Sequence, residues 1–161
     1  MKVKAHAKRR VRYLVLEALY EAESSNHDPV EAFERRMADE GETDPALREE
    51  SAIEFGRTIV KGVAQRWREA DGLIGQAATK YPVNTLAVVD RNILRLAIWE
   101  LLADNSAPVG AVVNEAVELA HRYGGDSAPS FVNGVLRTVS QRIKAAQAAV
   151  PAPLDAAPID N

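Results

Sequence analysis

Between Leu86 and Leu102 the chain reads Leu-Ala-Val-Val-Asp-Arg-Asn-Ile-Leu-Arg-Leu-Ala-Ile-Trp-Glu-Leu-Leu, with no Gly or Pro. The run is too long for a strand. At about 100° per residue, Leu86, Val89, Ile93, Leu96, Ala97 and Leu101 fall on one broad arc, so the stretch reads as a helix. Arg91, Asn92 and Arg95 lie on the opposite side, but Val88, Ile98, Trp99 and Leu102 lie there too. A helix apolar most of the way round is buried on most sides. Residues 85–103 are therefore expected to form a central helix against which the others pack.

Asp90 and Glu100 interrupt the apolar arc of that helix. A buried carboxylate costs several kcal/mol unless it is paired or hydrogen-bonded. For Glu100 the expectation is an internal pair or bonds to backbone amides. Asp90 sits near the helix start, where the dipole favours an acid and where the arc can emerge to meet a partner protein.

The flanking segments are helical as well. Residues 4–23 carry a stripe of Val11, Leu14, Val15, Ala18, Leu19 and Ala22, with Tyr20 at its border. Asp28-Pro29 reads as N-cap and N1 of a short helix to about Ala38. Asp44-Pro45 repeats the signal ahead of a long helix with Ala52, Ile53, Phe55, Ile59, Val60, Val63 and Trp67 inside, and a break is expected near Asp71-Gly72. Gly56 and Gly62 within it are expected to allow close helix approach. Asn84 is the expected cap of the central helix. After a loop at Asp104-Asn105-Ser106, Pro108 opens a helix that Tyr123-Gly124-Gly125 closes. Asp126 to Pro129 starts the last helix. Strand signals are almost absent, so the fold class is all-α. Residues 4–145 form the helical domain, and the Ala/Pro-rich residues 146–161 are expected to be a disordered tail.

Composition narrows the function. With 47% hydrophobic and 27% charged residues the chain is an ordinary globular protein, and no apolar run reaches membrane length. It has no cysteine, which excludes disulfides and thiolate chemistry and makes a cytoplasmic location the expectation. The net charge is −3, yet Lys2, Lys4, Lys8, Arg9, Arg10 and Arg12 crowd into residues 1–12 without a single acid. All 23 acidic groups fall on the rest of the chain. Cations at a helix N-terminus oppose the macrodipole, by a few tenths to about 1 kcal/mol each. A basic arm on an acidic body suits anion binding, and arginine suits single-stranded RNA because it bonds phosphate bidentately and stacks on bases. Six phosphate contacts imply a salt slope of about −4. Enzyme signatures are missing. No Gly-rich phosphate loop or nucleophile elbow is present, and the single Glu118-Leu-Ala-His121 spacing lacks the second copy a di-metal bundle needs. No catalytic residue, cofactor or metal is expected.

Several motifs together resemble the transcription antitermination NusB family. They are Asp90 through Leu101, Pro108-Val109, Val113-Asn114-Glu115-Ala116-Val117-Glu118-Leu119-Ala120, Tyr123-Gly124 and Phe131-Val132-Asn133-Gly134-Val135-Leu136, with the basic run leading into Glu17-Ala18-Leu19-Tyr20. The resemblance implies two packed three-helix subdomains. It implies pairing with NusE, a small-subunit ribosomal protein, and binding of the heterodimer to boxA RNA on nascent ribosomal RNA transcripts, acting on RNA polymerase with NusA and NusG. Carried over by position, Lys4, Lys8, Arg9, Arg10, Arg12, Tyr123, Phe131 and Asn133 would contact RNA, and Tyr20 and Asp90 would face NusE. The chain departs from the family at Ser127-Ala128-Pro129, where Asp-Ser-Pro is usual. A protein-only scaffold and the RNA-guiding domain of a ribosomal RNA methyltransferase are the alternatives, the latter opposed by the lack of a methyl-donor fold. Monomer and homodimer are both open at this point.

Overall fold

The computed structural model describes residues 2–103 and 107–149, and their regular structure is entirely helical. Six α-helices follow one another: α1 (Ala5–Ser25), α2 (Pro29–Gly41), α3 (Glu50–Ala77), α4 (Val88–Leu102), α5 (Val109–Tyr123) and α6 (Ala128–Ala149). α1, α2 and α3 pack on one another, and so do α4, α5 and α6, giving two three-helix units. α4 is the common element, touching α1, α3, α5 and α6. Ile93, Leu94, Leu96, Ala97 and Ile98 on it are at most 2% exposed, as expected of a helix surrounded by four others. Among the described residues no helix is long and apolar enough to cross a membrane.

Local chemistry sets the boundaries. The Asp28 carboxylate accepts the Glu31 amide at 2.9 Å and, with Pro29 at N1, starts α2. Asn26, in the left-handed region at φ 56°, ends α1. Gly56 and Gly62 are where α3 meets its neighbours. A Cβ on Gly56 would lie 2.2 Å from Phe33, and one on Gly62 would lie 2.0 Å from the Trp99 indole nitrogen.

The structure corrects the sequence reading in several places. Asp44-Pro45 opens a 3-10 turn (Pro45–Arg48), with the Asp44 side chain accepting from the Ala46 amide, and the long helix begins only at Glu50. α3 does not break at Asp71-Gly72. Asp71 accepts two bonds from Arg95 of α4, at 2.7 and 2.8 Å, and this clamp carries the helix through to Ala77. The irregularity falls earlier, at Arg66 (φ −119°, ψ 15°). Trp67, just past it, is 39% exposed rather than core, its ring flanked by the Arg68 and Arg95 guanidinium groups. Asn84 lies in a second 3-10 turn (Val83–Thr85), and Ala87 is the uncapped N-terminal flank of α4. Gly124 follows α5 at φ −91°, so it is not a left-handed cap; a Cβ there would press within 2.5 Å of Ala128. α6 continues through residues 146–149, where Ala and Gln favour helix. Residues 150–161 of the expected tail and the loop at Asp104-Asn105-Ser106 lie outside the described residues.

Candidate nucleic-acid interface

α1 starts with Lys4 at its N-cap, no side-chain cap and no acid in its first turn. Its unpaired amide ends and Lys4 therefore present positive charge at the same end of the helix. The cations do not form one patch, because successive residues turn about 100° around the helix. Each arginine instead meets a carboxylate from a different helix. Arg9 binds both oxygens of Glu115 on α5, at 3.0 and 3.2 Å. Arg10 reaches Glu40 on α2 at 2.5 Å. Arg12 turns inward to Glu100 on α4 at 2.8 Å, with both side chains largely buried. The internal pair expected for Glu100 is present, and its partner comes from the basic arm itself. Burial pushes the Glu100 carboxyl above its usual range, with Arg12 opposing the shift. Lys8 and Arg12 lie over the Phe55 ring, at 5.5 and 5.3 Å. Lys4 is exposed, without an ion pair among the described residues.

Beside this arm, α1 and α5 enclose a groove of about 530 Å³ lined by Ala5, His6, Arg9, Arg10, Tyr13, Glu115 and Arg122. Tyr13 meets Tyr123 edge-on, with ring centroids 6.0 Å apart. The Arg122 guanidinium covers both rings, at 4.5 Å from Tyr13 and 5.5 Å from Tyr123. Burial raises the Tyr123 hydroxyl above its ordinary value. Tyr13 and Arg122 were not singled out from sequence. The only available signal was spacing, Tyr13 lying one turn beyond Arg9 and Arg122 beside Tyr123.

Phe131 and Asn133 do not line this groove. Phe131 is half-buried against the core, and the Asn133 carbonyl accepts from Arg137 at 3.2 Å on the same helix. Gly134 meets nothing within 4 Å, so close helix packing is not its role.

A second groove, about 550 Å³, lies between α1 and the start of α4, lined by Leu16, Glu17, Tyr20, Arg36, Ala87, Val88, Val89 and Tyr123. Tyr20 is 47% exposed in it. Asp90 lies beyond Val89, with one carboxylate oxygen buried and without a hydrogen-bond partner. Burial raises its pKa. Tyr123 therefore borders the groove that holds Tyr20 and, through its contact with Tyr13, supports the other.

Residues 9–141 match the model of the NusB family. The chain belongs to the NusB family. A transcription antitermination protein NusB from Chloroflexus aggregans (strain MD-66 / DSM 9485) is 41% identical over 140 residues, covering 86% of this chain and 89% of that protein. T. maritima NusB superimposes with a TM-score of 0.75 at 33% identity, over 88% of this chain and 93% of that structure. The fold is shared as well with a chain from a structure of antitermination factors NusB and NusE in complex with double-stranded RNA, at a TM-score of 0.75 and 24% identity over 86% and 99% of the two chains. The family match, residues 9–141, reaches into all six helices.

Proposed function

We propose that this chain is a non-catalytic RNA-binding antitermination factor that docks NusE and, with it, holds boxA RNA on nascent ribosomal RNA transcripts in the cytoplasm. RNA polymerase, with NusA and NusG, is the machinery it serves. One observation carries the reading: Arg9 and Arg10, near the uncapped start of α1 and its exposed N-cap Lys4, line a groove walled by Tyr13 and Arg122. Cations there hold phosphates, and the exposed Arg122 guanidinium, backed by Tyr13, suits an unstacked base. Arg12 supports the arm from beneath through Glu100, a positioning role. Phe131 and Asn133 extend the RNA track along α6. NusE takes the groove of Tyr20, Val88 and Val89, with Asp90 one residue further along α4.

The test is titration of a boxA-type single-stranded RNA with the protein alone and with NusE, across salt concentrations. The reading expects tighter binding with NusE and affinity that falls steeply with salt. Equal binding of boxA and scrambled RNA by the heterodimer would overturn it.

A further inference from the structure

The ion pair between Arg9 and Glu115 spans the groove between α1 and α5 and uses both carboxylate oxygens. A carboxylate gripped in this two-pronged way occupies the geometry that a phosphate takes on arginine. The pair is open to water, with the Arg9 side chain 48% exposed, so the carboxylate is cheap to displace. Immediately beside it, the Arg122 guanidinium lies over the Tyr13 ring at 4.5 Å, a flat cationic surface wide enough for one base. Arg10 completes the wall from the α1 side. The groove thus holds, one next to the other, a site shaped for an anion and a site shaped for a ring.

We propose that this groove is a single-nucleotide site. The phosphate displaces Glu115 from Arg9, and the base stacks on the Arg122–Tyr13 face. The inference rests on the RNA-binding reading above and assigns two residues, Arg122 and Glu115, that the sequence resemblance did not. Glu115 acts here as an internal competitor. It holds Arg9 in its binding rotamer while no RNA is present and sets a threshold that weak anions do not pass.

The experiment measures affinity of the full chain with NusE for a boxA-type single-stranded RNA, comparing wild type, Glu115→Gln, Glu118→Gln and Arg122→Gln. Glu118 is exposed on the same helix and acts on Arg9 only through space, so Glu118→Gln removes the same charge without freeing the guanidinium. Glu115→Gln is expected to bind about two- to fivefold more tightly, the equilibrium value of one exposed pair, and Glu118→Gln to change less. Arg122→Gln is expected to bind about tenfold more weakly, within the range for loss of one stacked base. These side chains are exposed or half-buried, and thermal melting confirms folding. Equal gains from Glu115→Gln and Glu118→Gln, or no loss with Arg122→Gln, would overturn the groove assignment while leaving RNA binding intact. Failure of the wild type to bind would instead reject the RNA-binding reading itself.

Discussion

Arg12 of α1 donates to Glu100 of α4 at 2.8 Å across the core, joining the first three-helix unit to the second. Glu100 is 3% exposed. Removing its partner leaves a buried charge uncompensated, so Arg12→Ala is expected to cost about 3–5 kcal/mol at neutral pH. The sign of its pH dependence follows from burial. Glu100 holds its proton more tightly folded than unfolded, so its penalty is full above its folded pKa and fades as pH falls through it. Urea denaturation at pH 7 and near pH 4.5 should show the cost shrinking in acid. The double change Arg12→Met with Glu100→Leu should recover most of the stability. A cost independent of pH would contradict this account.

Glu21, in the last turns of α1, gathers His27 from the linker and Arg35 and Arg36 from the middle of α2. Hydrogen bonds, first from His27 and then from Arg35, hold its carboxyl down to about 2 against the usual 4.5. A depressed acid contributes stability above its unfolded pKa and loses it as pH falls to its folded value. Thermal melts of the wild type should therefore fall more steeply between pH 4.5 and 2 than those of Glu21→Gln. Parallel profiles would remove Glu21 from the acid response.

Two glycines on helices should respond in opposite directions. Gly62→Ala drives a methyl group into the Trp99 indole, and overpacking of this kind costs about 1–3 kcal/mol. Gly134→Ala meets open space and should gain about 0.5–1 kcal/mol from helix propensity. Urea midpoints of the two variants, read against the wild type, check both.

Asp90 has a buried oxygen that the fold does not satisfy, a cost to the free protein that grows with the charge it carries. Asp90→Asn should leave the free protein at least as stable while weakening NusE capture. Tyr20→Ala should weaken capture by about 2 kcal/mol without moving the melting temperature, because Tyr20 is exposed. Calorimetric titration with NusE reads both. Unchanged affinity in the two variants would move the docking site elsewhere.

The central helix was legible because its apolar period is continuous, and its observed span, Val88–Leu102, lies inside the expected one. The cost of burying Glu100 announced an internal pair, but nothing local could name Arg12, which lies 88 residues away in the chain. Trp67 was misread for a related reason. The apolar arc of α3 was drawn on a straight helix, and the departure at Arg66 turns the ring out between two guanidinium groups. At the candidate interface the cluster of cations was visible from sequence, while its division among Glu115, Glu40 and Glu100 was not. Those contacts depend on how α2, α4 and α5 surround α1.

The most direct test is the salt dependence of RNA binding by the complex with NusE, for the wild type and for a variant with Lys4, Lys8, Arg9 and Arg10 all changed to Gln. With Arg12 committed to the core, Lys2, Lys4, Lys8, Arg9 and Arg10 remain for about five phosphate contacts, and the wild-type slope of log affinity against log salt should be about −3.5. The variant keeps Lys2 alone of these, so its slope should fall to about −0.7 with its fold intact. An equal slope in the two proteins would show that the transcript is held somewhere other than the start of α1.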